Sequence, residues 1–268
     1  MQHDSTTLVG ERWPGDGPGM VLLHAAIADK RSWYSLSALL APHASVVSYD
    51  RPGFGETAPP TGEFSDVADL LAVLDAVGFD RAWLVGSSMG GLVALEAALA
   101  HPDRVAGLIL FAPAVSGITD FDESKLDPQE VELENRVAEL ESEGRFDEAN
   151  ELEIWLWLDG PHAAQGRVTG APRYLVRTMN RPLLERSGLS AGRSGPGVWP
   201  HLSEITAPTL VITGDLDSSL ALEWGAHLAS TMPHARHVVV EQMAHLPYLE
   251  RADVVAPLMV DALHADRF

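Results

Sequence analysis

Short apolar runs recur along the first part of the chain, separated by stretches in which apolar residues return every three or four positions. Met20 to Leu23, Ser45 to Tyr49, Ala82 to Val85 and Gly107 to Phe111 read as strands, and Thr209 to Thr213 and His237 to Val240 resume the series after a long interruption. Strands alternating with helical periods predict a parallel sheet joined by crossover helices. Val67, Leu70, Leu71, Leu74 and Val77 mark one such helix, which Ser65 can cap and Gly78 can end.

The interruption, from about Val115 to Pro200, has a different pattern. Asp127, Pro128 and Glu130 supply an N-cap, a first-turn proline and a capping-box acid. Leu133, Val137 and Leu140 then share a face until Gly144 can stop the helix. A second helix is predicted from about Asp147 to Leu158, ending at Gly160-Pro161. Its tail, Ile154 to Leu158, is apolar all round and must be covered on more than one side. Ser187 to Pro200, rich in Gly, Ser and Pro, leads the chain back to the sheet. The expected architecture is α/β: a mostly parallel central sheet with flanking helices over 1–114 and 201–268, and an inserted helical cap over 115–200. No internal repeat is visible.

Composition narrows the function classes. A chain of 268 residues can bury roughly three quarters of its unfolded surface in one core. It has no cysteine, which excludes disulfides, thiolate metal sites and cysteine nucleophiles. A net charge of −20 argues against nucleic acid or an anionic membrane as partner, because phosphate binding depends on lysine and arginine. Half of that charge falls between Phe121 and Glu153, where thirteen acidic residues face three basic ones; a solvated helix face is the expectation. The N-terminal stretch has neither a basic start nor an apolar run of signal length, and no later stretch reaches membrane-spanning length. The expectation is a cytoplasmic protein, monomer or homodimer, that acts on a small molecule.

Candidate chemistry lies at Gly86-Ser87-Ser88-Met89-Gly90, a G-x-S-x-G run between a predicted strand and a predicted helix. A sharp strand-to-helix turn exposes the serine oxygen, and glycines on either side avoid collisions. The helix N-terminus favours a developing oxyanion, with the Met89 N–H as one donor. Ser87 is the rival hydroxyl, in a position that the turn should direct away from the exposed side. Gly53 to Ala58 fits the dinucleotide pattern G-x-G-x-x-A, but Pro59-Pro60 follow where a helix would have to continue.

The Gly86 to Gly90 segment resembles the nucleophile elbow of the α/β-hydrolase superfamily. Leu22-Leu23-His24-Ala25-Ala26 matches the place where members carry His-Gly, which implies Ala26 as the second oxyanion donor; Ala25 stands where glycine is usual. Asp50 to Gly55 resembles the family's D-x-x-G-x-G turn, and His101-Pro102-Asp103-Arg104-Val105 its link after the nucleophile helix. The family's chain order is serine, acid, histidine. The resemblance implies Asp217, closing Gly214-Asp215-Leu216-Asp217, as the acid, with Asp215 as rival. It implies His245, in the loop after the last strand, as the base; His24 is the competitor, with a structural role expected for it.

Such a triad needs neither metal nor other cofactor, and none is expected. The family reading is a serine hydrolase acting through an acyl-enzyme on Ser88, on a small, fairly hydrophobic ester or lactone. Trp155, Trp157, Leu152 and Leu156 are candidates for an apolar wall over the serine. The same residues serve thioesterases, amidases, carbon–carbon bond hydrolases, acyltransferases and cofactor-free perhydrolases. From other classes, a ligand sensor built on a hydrolase pocket and a structural partner protein are the alternatives.

Overall fold

A computed structural model of the chain describes residues 7–119, 126–186 and 197–264. Among them, seven strands form one sheet in the order β1-β3-β2-β4-β5-β6-β7. They are β1 (Gly10–Trp13), β2 (Gly19–Leu23), β3 (Ser45–Tyr49), β4 (Ala82–Ser87), β5 (Val105–Phe111), β6 (Thr209–Gly214) and β7 (Ala235–Val240). Every pairing is parallel except that of β1 with β3. The six predicted strands are all present. The exposed edge strand β1 went unpredicted because Gly10-Glu11-Arg12 has no apolar alternation to mark it.

Alternate residues of each central strand feed two separate cores. Met20 and Leu22 of β2, with Val85, Ile109 and Ile212, pack on one face against α1 (Tyr34–Leu40) and α8 (Ala252–His264). Val21 and Leu23, with Leu84, Leu108 and Val211, pack on the other against α2 (Asp66–Val77) and α3 (Met89–Ala100). A strand apolar on both sides is what a sheet between two helix layers requires. The predicted caps of α2 form: Ser65 Oγ accepts from the Ala68 N–H at 3.3 Å, and Gly78 takes φ +77°.

Between β5 and β6 lie α4 (Pro128–Ser142), α5 (Phe146–Ile154) and α6 (Ala171–Leu184). Asp127 caps α4 as expected, accepting from the Gln129 and Glu130 N–H groups. Glu130 does not complete a capping box. Its carboxylate instead accepts from the Ser219 N–H at 2.9 Å and hydroxyl at 3.0 Å, tying α4 to the start of α7 (Ser219–Thr231). The predicted second helix runs as α5 only to Ile154 and then widens into a π-helical turn, Trp155–Asp159, before Gly160 at φ +98°.

Helix α6 had no prediction, because Pro172, Pro182 and a series of arginines obscure its apolar positions. Those arginines also alter the picture of the acidic segment. Arg173 and Arg177 pair with Glu151 at 3.1 and 2.5 Å, and Arg181 with Asp147 at 2.5 Å. Part of the acidic run is therefore an ionic ladder between α5 and α6 rather than a purely solvated face. The return segment Ser187 to Pro200 lies outside the described residues up to 196. Among the described residues, no helix is long and apolar enough to cross a membrane.

One close approach fixes how the first turn of α3 sits on the sheet. A Cβ built on Gly90 would lie 2.1 Å from the Leu23 carbonyl oxygen and 2.7 Å from that of His24. Helix and β2 end thus meet backbone to backbone. Gly90→Ala should lower stability by about 1–3 kcal/mol, the range for overpacking a tight core site, as read from urea denaturation. An unchanged midpoint would mean that the two segments can separate freely.

Candidate active site

Ser88 joins β4 to α3 with φ +50° and ψ −115°, a backbone region that disfavours any residue with a Cβ. Its surroundings hold it there. The Ser88 N–H donates to the Phe111 carbonyl at 2.9 Å, and its own carbonyl accepts from Gly91 at 2.9 Å, Leu92 at 3.1 Å and Ala114 at 2.9 Å. Gly86 is needed because a Cβ there would stand 2.4 Å from the Gly90 carbonyl oxygen. Ser87 is buried while Ser88 is half-buried, which separates the two hydroxyls. Met89 is the first residue of α3, so its N–H belongs to the positive end of the helix.

The segment after β2 turns beside this helix start, with the Ala28 N–H donating to the Ala25 carbonyl at 3.3 Å and Ala26 exposed at the tip. Ala25 keeps a negative φ, so the position expected to hold glycine tolerates a methyl group. His24 braces the turn. Its Nε2 accepts from the Arg51 N–H at 3.1 Å, which places the ring proton on Nδ1, 2.8 Å from the Ala25 carbonyl. Burial, reinforced by the Arg51 charge, holds the His24 pKa well below its ordinary value. It is a neutral structural imidazole. Asp50 anchors the neighbouring turn by accepting from the Lys30 N–H at 2.7 Å, the Lys30 ammonium at 2.8 Å and the Glu56 N–H at 2.9 Å.

Asp217 and His245 come together from loops at the same sheet edge. β4 to β7 run parallel in consecutive order, so the residues that follow them share the carboxyl side. His245 Nδ1 lies 3.0 Å from both carboxylate oxygens of buried Asp217, whose Oδ1 also accepts from the Ser218 N–H at 2.7 Å. A carboxylate can only accept, so Nδ1 carries a proton, and in the neutral imidazole the lone pair is on Nε2. Asp215 is exposed and stands outside this pair.

The cap supports the histidine loop directly. The His245 N–H donates to the Trp157 carbonyl at 3.2 Å, and the two rings lie 4.7 Å apart. That carbonyl and ring both belong to Trp157, within the π-helical turn. Arg167, absent from any sequence expectation, clamps this turn to the loop: it donates to the Leu158 and Asp159 carbonyls at 2.7 Å and to the Gln242 carbonyl at 2.8 Å. It also pairs at 2.7 Å with Glu250, which accepts from the Ala244 N–H at 2.7 Å. Burial pushes the Glu250 carboxyl up to about 6 despite these partners. No periodicity or motif marks Arg167, so its role emerges only from the fold.

The other expected pocket residues diverge. Leu152 packs in a small cap cluster with Val137, Leu140 and Ala149. The Trp155 indole N–H donates to the Ala163 carbonyl at 2.9 Å, and Leu156 is buried. Among the described residues, Asp127, Glu130 and His162 bring possible ligand atoms within 4.8 Å of one another. Glu130 is already engaged there by Ser219 and, at 3.2 Å, by His162, which makes the group a tether between cap and core.

The profile of the alpha/beta hydrolase family matches residues 20–258, and the chain belongs to that family and is a hydrolase. It is 30% identical over 264 residues to a 2-hydroxy-6-oxo-6-phenylhexa-2,4-dienoate hydrolase of Burkholderia cepacia, covering 93% of this chain and 88% of the relative. It is 28% identical over 239 residues to a pimeloyl-[acyl-carrier protein] methyl ester esterase of Aeromonas hydrophila subsp. hydrophila, covering 88% and 91%. A thermophilic esterase from Thermogutta terrifontis shares the fold with a TM-score of 0.76 at 24% identity, covering 97% of each chain.

Arg167→Ala would leave Glu250 in a protein environment without its counter-charge. The expected loss is on the order of 2–4 kcal/mol, reduced from the fully buried case by the partial exposure of Arg167. Adding Glu250→Gln should recover part of it in chemical denaturation. A double variant no more stable than the single one would show that the unpaired charge is not the cause.

Proposed function

We propose that the enzyme is a serine hydrolase that cleaves a small, fairly hydrophobic carboxylic ester or lactone through an acyl-enzyme on Ser88. The supporting observation is the Asp217–His245 pair at 3.0 Å, on the same sheet edge as the strained Ser88 turn. In this reading Ser88 Oγ attacks the acyl carbon while His245 Nε2 takes its proton. The N–H groups of Met89 and Ala26 stabilise the oxyanion. Collapse breaks the bond to the leaving oxygen, which takes the proton from His245. Water, deprotonated by the same nitrogen, then attacks the acyl group, and the acid departs as Ser88 regains its proton.

Asp217 holds the tautomer that leaves Nε2 basic and stabilises the imidazolium that forms. Trp157 is the pocket wall best supported, because its ring lies against that of His245. Leu152 and Trp155 act further off, through cap packing and loop closure. The relative named as a 2-hydroxy-6-oxo-6-phenylhexa-2,4-dienoate hydrolase favours one second reading, hydrolysis of that type of compound by the same residues.

Steady-state turnover of p-nitrophenyl butyrate and of 2-hydroxy-6-oxo-6-phenylhexa-2,4-dienoate separates the two. A higher kcat/KM on the ester is expected, and a higher value on the dienoate would transfer the assignment. Ser88→Ala should abolish turnover of either compound, and Asp217→Asn should lower kcat by up to about ten-thousandfold. Near-normal turnover by Asp217→Asn would remove that residue from the mechanism.

A further inference from the structure

An open cavity of about 840 Å³ lies between the cap and the turn after β2. Ala26, Ile27 and Phe54 line its core side, while α4, α5 and the end of α6 supply the cap side. It reaches the core at Ala26, the proposed second oxyanion donor, and is open to solvent along the cap side.

The polar groups on the cap side are unequal in kind. Asn150 Nδ2 donates to the Arg177 carbonyl at 3.0 Å, so Asn150 presents its oxygen to Asn180. Asn180 Nδ2 then uses one proton on Asn150 Oδ1 at 3.0 Å and the other on Glu153. Both amide donors of Asn180 are engaged, leaving its oxygen as acceptor. The Ser142 hydroxyl donates to the Glu139 carbonyl at 2.7 Å, and Arg186 donates through Nη1 to the Gly53 carbonyl at 2.5 Å. Glu141, Glu153 and Glu185 are lining acceptors, of which Glu185 is paired with Arg181 at 2.9 Å. The cavity is thus rich in acceptors; on its donor side Arg186 spends one of its five N–H groups on Gly53.

We propose that this cavity receives the end of the substrate remote from the acyl carbonyl, and that Glu153 selects there for a hydrogen-bond donor, best an ammonium group, over a carboxylate. The inference rests on the serine-hydrolase reading only for the placement of the carbonyl near Ala26. Burial pushes the Glu153 carboxyl up to about 7, opposed by the Asn180 hydrogen bond and reinforced by the Glu141 charge on α4. The other charged lining groups are Glu185 and Arg186 at the end of α6; the core side contributes Ala26, Ile27 and Phe54, none of them charged. An ammonium ligand stays cationic near neutrality, so its affinity should rise with pH as Glu153 ionises.

The test compares 4-phenylbutylamine with 4-phenylbutanoate by isothermal titration calorimetry on the full-length Ser88→Ala protein. The amine should bind at least about tenfold more tightly, as a charge-assisted hydrogen bond to a partly desolvated carboxylate predicts. Its affinity should increase from about pH 6 to about pH 8, the window around the raised carboxyl. Glu153→Gln, which keeps a hydrogen-bond partner for Asn180, should abolish both the preference and the pH dependence. On the wild-type enzyme the amine should compete with p-nitrophenyl butyrate. Equal or tighter binding of the carboxylate would overturn the proposal and give the deciding role to Arg186. So would an unaltered preference in Glu153→Gln, or inhibition that is not competitive. The comparison within Ser88→Ala stands even if Glu153→Gln does not fold. If the wild type turns over no ester while Ser88→Ala shows the amine preference, the recognition by Glu153 survives and only the assigned reaction fails.

Discussion

The backbone of Ser88 is the constraint on which the site depends. A residue with a Cβ holds φ +50° only where its neighbours over-determine it, at a cost of about 1–3 kcal/mol. Here β5 supplies the carbonyl that receives the Ser88 N–H, and Ala114 beyond it supplies a donor to the Ser88 carbonyl. Glycines at 86 and 90 allow the helix start to press against β4 and the end of β2. The turn that bears the hydroxyl and the turn that bears Ala26 are therefore set relative to each other by backbone contact, not by long side chains.

The imidazole side of the site is built differently. Its loop hangs on the cap: Trp157 contributes a carbonyl and a ring, and Arg167 joins two cap carbonyls to Gln242 and Glu250. The cap is fixed in turn by Glu130 on the α7 start and internally by the α5–α6 ionic ladder. Displacing the cap would disturb both the pocket walls and the orientation of His245. The Trp157 ring and the His245 loop share one support, and the acidic segment that holds half of the net charge of the chain is part of it.

The sheet was legible because buried parallel strands are continuous apolar runs, and α2 because Ser65 and Gly78 bracket a clean period. The serine turn was legible because its glycines answer a local steric demand. Asp217 and His245 were reached through family resemblance, and the structure supplies the hydrogen bonds between them. What stayed hidden has physical reasons. The π-helical turn at Trp155–Asp159 changes hydrogen-bond register without changing composition. Helix α6 carries prolines and pairs its arginines with another helix. Glu130 read as a local capping acid, yet its partner lies eighty-nine positions away. Arg167 reaches the Gln242 carbonyl across seventy-five positions, a contact that no local pattern announces.

The proposed reaction requires Ser88 to form a covalent acyl intermediate that His245 helps to discharge. The most direct test is peptide mass spectrometry of the wild-type protein acid-quenched during turnover of p-nitrophenyl butyrate, which captures the acyl group between its transfer to serine and its release by water. The predicted result is a butyryl adduct confined to the peptide containing Ser88 and absent from the Ser88→Ala protein. An adduct at another residue, or the same adduct persisting in Ser88→Ala, would contradict it.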